Sequence, residues 1–227
     1  MSKREPKQRY QYCVVLGGGG HAAVLIESLQ ASGLDIVRAV LDQDQSQWGK
    51  EILEISVLGG DALLPDLKEK GADCFVVGVG TVGNSRIRRR LYEYGLSLGL
   101  EPLTVIHPTS YVSPSARLAP GCQLLPHSIV HTRAVLGNNV LINSGAIVEH
   151  DCVLGDHTHV ATGAQIAGGV EIGEGTLIGI GASVRQGVRI GRESVIGAGA
   201  AVVKDVPDNV VVVGVPARVC KRSQTMS

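Results

Sequence analysis

From Val112 to Val202 every sixth residue is aliphatic, beginning Val112, Leu118, Leu124, Val130 and ending Val184, Ile190, Ile196, Val202, sixteen positions without an exception. Four residues after each of these the side chain is small or modest, as at Ala116, Cys122, Ser128, Ala134 and Ala146. Neither a helix of period 3.6 nor a half-buried strand of period 2 generates that spacing. It is the pattern of a prism of short strands stacked about 4.8 Å apart, each face supplying an aliphatic layer and a tight inward corner.

Ahead of Tyr111 the pattern changes to short apolar runs alternating with helical stretches. Residues 12–16 predict a strand that runs into Gly17-Gly18-Gly19-Gly20-His21-Ala22. An amphipathic helix to about Leu29 and a strand over 36–41, ending at Asp42, follow. Further strands are predicted at 55–58, 74–80 and 103–106, and helices at 61–70 and 85–98. Such alternation builds an open α/β sheet. The chain is therefore expected to divide into a tail over residues 1–10, a Rossmann-like α/β domain over 11–107, an all-β helix over 108–207 and a C-terminal extension over 208–227.

The glycine-rich elbow carries chemistry. Glycines let backbone N–H groups approach phosphate oxygens at a helix N-terminus, and an acid about 20 residues on can accept from a ribose or base. Gly17-x-Gly19-x-x-Ala22 followed by Asp42 fits that scheme. Only about 105 residues precede the repeat, and no second mononucleotide half is evident, so a single nucleotide is expected rather than a dinucleotide. Gly78-Val79-Gly80 ends a predicted strand at the edge where open α/β sheets bind ligands. Arg86, Arg88, Arg89 and Arg90 read as a solvated basic helix face, with Arg86, nearest the helix start, a candidate diphosphate contact. Base-stacking aromatics are not interleaved with them, which argues against a nucleic-acid patch.

Composition sharpens the two-part picture. All seven aromatic residues lie at or before Tyr111, which fits a prism axis too narrow for rings. Lysine plus arginine and aspartate plus glutamate both number 21, so no field of one sign covers the molecule, and a general nucleic-acid or membrane-surface binder is not expected. The five cysteines show no CxxC spacing and read as reduced thiols of a cytoplasmic protein. The basic N-terminus precedes an apolar run that four glycines cut short, a strand and loop rather than a signal peptide. No stretch approaches the roughly 18 apolar residues of a membrane span.

The hexads and the ending Gly214-Val215-Pro216-Ala217-Arg218 resemble the hexapeptide-repeat acyltransferases. That family's fold is a left-handed parallel β-helix with three hexads to a coil, and its coils assemble as trimers. On that resemblance sixteen hexads make a little over five coils, and residues 18 apart stack on one face. The elbow followed by hexads resembles a narrower family, the bacterial sugar acetyltransferases with an N-terminal nucleotide-sugar domain. Its members include N-acetyltransferases for UDP-, GDP- or dTDP-linked 4-amino sugars and relatives described as sialic-acid O-acetyltransferases. The resemblance implies that Gly19, Gly20 and His21 touch the diphosphate and sugar, and that Asp42 and Gln43 meet the nucleoside. Ala22 stands where some members have glycine, and Gln43 where some have a second acid, which leaves the nucleotide open.

Five histidines fall in the repeat, His127, His131, His150, His157 and His159, and none occupies an inward column. All five are expected to face outward or sit at corners. No pair is separated by a multiple of 18, so no zinc site on one face is expected. The segment 142–152 matches the family's active-site signature, in which the histidine, here His150, is the general base and the following acid, Asp151, raises its basicity. Imidazole suits acyl transfer because it can take the nucleophile's proton and return it. Contact between neighbours requires a corner or bend, because adjacent residues of a flat strand point to opposite sides. Asn143, a candidate orienting residue, His150 and His159 lie in successive hexads and are expected on three different faces, so that a compact pocket forms between subunits. The family assigns His159 and the backbone near Ile180 and Ala198 to acetyl-CoA; His157 reads as a polar outer residue, and Lys204 and Arg218 as solvated charges. The resulting expectation is a cytoplasmic, trimeric, acetyl-CoA-dependent N-acetyltransferase of a nucleotide-linked amino sugar for surface-glycan synthesis, without a metal. O-acetylation of a sialic-acid-like sugar and a non-catalytic nucleotide-sugar-binding trimer are the alternatives.

Overall fold

A computed structural model describes residues 10–81 and 85–222. The N-terminal part is a six-stranded sheet made by β1 (Cys13–Leu16), β2 (Val37–Leu41), β3 (Glu51–Ile52), β4 (Ile55–Gly59), β5 (Cys74–Val77) and β6 (Glu101–Pro102). Its spatial order is β3-β4-β2-β1-β5-β6, parallel except for the β3–β4 hairpin. The central strands are apolar throughout because both faces are covered. Val15, Val40 and Val76 face α1 (Gly20–Ala31), whereas Val14, Leu41 and Phe75 face α2 (Leu64–Glu69) and α3 (Arg86–Ser97).

The repeat forms a three-faced prism of two-residue strands. On the first face Gln123–Leu124 pairs in parallel with Leu141–Ile142, then His159–Val160, Leu177–Ile178 and Val195–Ile196. Every step is 18 residues, as the repeat predicts. The sixth-residue aliphatics and the small residues four places on form one axial core, packed tightly from Cys122 to Val202. Fully burying one such aliphatic is worth roughly 1.5–3 kcal/mol.

Two strands depart from the sequence expectation. The predicted strand at 103–106 splits: Val105–Ile106 leaves the α/β sheet and pairs with Gln123–Leu124, so the first coil starts six residues earlier than the first anchor. At the other end Val210–Val213 continues the first face and is closed by the antiparallel strand Arg218–Arg222.

The docking of the two parts positions the site. Leu125 and Leu141, on the outside of the prism, join the apolar cluster of α1. α3 leans on the corner that follows the third face, where Arg89 pairs with Glu174 and Glu193 and Tyr92 packs edge-on to His157. The arginine helix is thus no solvated basic face. Arg88 is 1% exposed, Arg89 is bound to the prism and Arg90 approaches Asp61 at 3.7 Å. The sequence could not show this, because the burying surface is a different domain.

Candidate functional site

Two groups of residues form in the chain, one at the elbow and one on the prism edges. At the elbow the tight turn holds Gly17 in left-handed backbone, φ 105°, and delivers Gly19 and Gly20 to the start of α1. A side chain added at Gly19, Gly20 or Gly80 would meet nothing within 4 Å, so open space lies beside all three. Asp42 braces the loop: its carboxylate accepts from Gly18 N–H at 2.5 Å and from Asp44 N–H at 2.7 Å. Trp48 donates to the Asp42 carbonyl at 2.8 Å, and Gln43 and Arg86 are exposed.

Behind the elbow lies a buried polar network for which the sequence offered no spacing signal. Gln123, outward on the first face, donates its Nε2 to the Val77 carbonyl at 2.9 Å, and its Oε1 meets His21 Nε2 at 2.8 Å. Arg88 donates to the carbonyl of Val79 at 2.6 Å and to Asn139 Oδ1 at 2.8 Å, and has no carboxylate partner among the described residues. Burial, and then the Arg88 charge, push the His21 ring down to about 4. Asn139 reaches on to His157 Nδ1 at 3.0 Å.

On the prism, His150 occupies the corner after the second face. Asp151, the next residue, takes left-handed backbone, φ 61°, and that bend brings its Oδ2 to 2.8 Å from His150 Nδ1. Arg133, one coil below, grips the same carboxylate with Nε on Oδ1 at 2.6 Å and Nη2 on Oδ2 at 2.8 Å. These contacts hold the Asp151 carboxyl well below the usual carboxylate range, Arg133 contributing most and His150 next. An ionised acceptor at Nδ1 places the proton there and leaves Nε2 as a free base. The ring lies over Gly168, where an added Cβ would stand 2.6 Å from both Cε1 and Nε2. Gly168→Ala is expected to leave folding intact and displace the ring, lowering kcat about 10²-fold; a kcat near that of the wild type would show that the ring's seat is unimportant.

The expectation of three separate faces holds for His150 only. Asn143 sits at the corner after the first face and His159 on the next strand of that face, their Nδ2 and Nε2 atoms 3.4 Å apart. Hexad counting separated them because His159 precedes its anchor by one residue. Asn143 Oδ1 accepts from Ser144 N–H at 2.7 Å, which turns Nδ2 toward His159. His159 Nδ1 is buried without a partner among the described residues, and burial holds the ring down to about 3. Ile180 and Ala198 extend this same edge, Ile180 63% exposed. A cleft of about 610 Å³ opens elsewhere, on the third face beside Val153, Glu171 and Arg189, and none of the candidate residues lines it.

His157, read as a polar outer residue, is instead buried with Tyr92 of the N-terminal part packed on it, and His159 is buried as well. Burial first, and Arg89 next, push His157 down to about 4. An unfolded histidine takes up its proton near pH 6.5. Between about 6.5 and 4 the unfolded state therefore binds more protons than the folded one, and stability falls as pH falls. The melting temperature should decline through that window and His157→Gln should flatten the slope; a pH-independent melt there would contradict the buried neutral rings. The Arg133–Asp151 contact acts lower: its contribution to stability begins to fall only below about pH 4, where the unfolded carboxylate protonates, and is lost as pH falls through the depressed folded value.

Among the described residues no group of three or more His, Cys, Asp or Glu converges to hold a metal, and no helix is long and apolar enough to cross a membrane. The five cysteines are unpaired, four of them buried.

Comparison with known proteins matches residues 13–94 to the PglD N-terminal domain, and residues 133–168 and 169–204 to the bacterial transferase hexapeptide (six repeats). GDP-perosamine N-acetyltransferase of Escherichia coli O157:H7 is 38% identical over 145 residues, a stretch covering 61% of this chain and 62% of that protein's length. A histidine-to-asparagine variant of perosamine N-acetyltransferase from Caulobacter crescentus, solved with CoA and GDP-perosamine, superposes with a TM-score of 0.86 at 39% identity, covering 92% of this chain and 96% of that one. The acetyltransferase domain of PglB from Neisseria gonorrhoeae FA1090, in complex with acetyl coenzyme A, gives 0.83 at 35% identity, covering 92% and 99%.

Proposed function

This chain belongs to the bacterial hexapeptide transferases that carry a PglD N-terminal domain, and we propose that it transfers an acetyl group from acetyl-CoA to the amino group of a nucleotide-linked 4-amino sugar. The observation that carries this reading is the His150–Asp151 pair, set in a chain that matches over 92% of its length an N-acetyltransferase holding both CoA and GDP-perosamine. GDP-linked 4-amino-4,6-dideoxy sugars are the first substrates to test.

Acetyl-CoA supplies the activated acetyl group as a thioester. The buried Nδ1 of His159, unpartnered among the described residues, fits it, because a neutral ring whose Nε2 accepts from Asn143 carries its proton on Nδ1 and lacks an acceptor that a carbonyl oxygen would provide. Along the same edge, Ile180 and Ala198 offer backbone to the pantetheine arm. His150 Nε2 takes the proton released as the sugar nitrogen bonds to the acetyl carbon. It returns that proton as the carbon–sulfur bond breaks and the thiol leaves. Asp151 holds the ring's tautomer and stabilises its cationic form.

His150 and the His159 edge stand at different corners of one prism, with the second face between them. A pocket bringing them together needs a second copy, so we expect a homotrimer with sites between subunits. An acetyl-CoA donor and five cysteines without disulfides support the reading of a cytoplasmic protein serving surface-glycan precursor synthesis. The test is thiol release from acetyl-CoA with GDP-, UDP- and dTDP-linked 4-amino sugars. Release with one of them is expected; no release with any would remove the enzyme reading in favour of a binding trimer.

A further inference from the structure

We infer that Arg88 is a positioning residue for nucleotide-sugar binding, tying the ligand edge of the α/β sheet at Val79 to the prism corner at Asn139. The inference rests on the nucleotide-sugar reading above and deepens it.

A buried cation without a carboxylate is costly to keep, and an apolar side chain of similar volume is often as stable or more so. Arg88 is 1% exposed, and its Nε has no hydrogen-bond partner among the described residues. Burial pushes the guanidinium down to about 10, so it stays charged at neutral pH. Its fork joins two parts of the chain. Nη1 donates to the Val79 carbonyl at 2.6 Å and lies 3.4 Å from the Val77 carbonyl, while Nη2 donates to Asn139 Oδ1 at 2.8 Å. A rigid planar fork holds both acceptors at once, which an ammonium on a flexible stem does not.

On the sheet side, the segment after β5 interlocks with the elbow. Gly78 N–H donates to the Leu16 carbonyl at 2.7 Å. A Cβ added at Gly17 would collide with Val79 Cγ2, and one added at Gly78 with the Gly17 carbonyl oxygen. Gly80, the next residue, borders open space. On the prism side, Asn139 is a fixed point: it is fully buried, sits in left-handed backbone, φ 54°, and reaches His157 Nδ1 at 3.0 Å. Enclosed as it is, Arg88 acts on a ligand through Val79 and Gly80, whose distance from the elbow it sets.

Steady-state kinetics of the full chain with acetyl-CoA and GDP-, UDP- and dTDP-linked 4-amino sugars test this, together with amide hydrogen exchange of the unliganded chain. Arg88→Lys is expected to raise KM for the nucleotide sugar about tenfold, with kcat and KM for acetyl-CoA within about twofold of the wild type. Residues 78–81 should then exchange about tenfold faster. Asn139→Gly suits the left-handed corner but removes the acceptor, and should reproduce both effects from the prism side. Asn139→Asp keeps an oxygen on Arg88 and should stay near the wild type. A nucleotide-sugar KM unchanged in Arg88→Lys and Asn139→Gly, whatever their melting temperatures, or equal rises in both KM values, would overturn the inference while leaving the proposed function standing. A wild-type protein that releases thiol with none of the three nucleotide sugars would overturn both.

Discussion

Replacing His150 by alanine lowers kcat on the nucleotide-linked amino sugar about 10²-fold, the lower end of what a general base contributes, and leaves KM for both substrates within about twofold. The lower end applies because a deprotonated amine is already nucleophilic, so the missing base costs less than it would with a hydroxyl acceptor. Activity of the variant should rise as pH rises and frees the amine, and added imidazole should restore part of it, since the site is half exposed. A rise in KM with kcat preserved would instead make the ring a binding group. Asp151→Asn should be nearly as damaging, for a reason that lies in Arg133. Its two donors demand an acceptor, so the amide oxygen turns to Arg133 and the NH2 faces His150 Nδ1, forcing the proton to Nε2 and disabling the base. Adding Arg133→Ala to Asp151→Asn frees the amide to rotate, and activity should partly return. No recovery in the double variant would mean that the carboxylate acts by charge rather than by tautomer.

A large loss of stability is expected of Gly155→Ala. An added Cβ would stand 2.6 Å from Glu174 N and 3.0 Å from its Cα, backbone atoms of the next coil that no rotamer change can move. Relief requires separating two coils and stretching their ladder hydrogen bonds, a cost of about 3 kcal/mol. For a chain of this size that lowers Tm by roughly 6–12 °C. Gly163→Ala provides the comparison, because its Cβ meets nothing within 4 Å and only its left-handed backbone, φ 66°, is strained, at about 1–2 kcal/mol. Thermal melts in which Gly163→Ala costs as much as Gly155→Ala would show that the coils yield more than their contacts suggest.

The glycines at 137, 155, 173 and 191 mark a second regularity that the hexad columns left unread. They recur every 18 residues at one corner, where successive backbones touch. The signal was there in the spacing. Left-handed corners, in contrast, carry glycine at many steps but His127, Arg133, Asn139, Asp151 and His157 at others, so composition alone did not expose the Asp151 bend. That bend is the reason a residue and its neighbour can touch.

The prism was legible because its requirements are local: each coil sees the same neighbours above and below, so one residue pattern repeated at fixed spacing specifies both core and register. The elbow was legible for a similar reason, a turn, a helix start and an acid lying within one strand-helix-strand unit. What only the tertiary structure decided depends on surfaces meeting far apart in sequence. Docking of α3 and α1 onto the prism buries Arg88, covers His157, and joins His21 to Gln123 across 102 positions. The coil pitch sets Asn143 beside His159 and Arg133 under Asp151. Charge, tautomer and burial at those residues follow from partners supplied by another domain or another coil, and no period in the sequence encodes which partner that is.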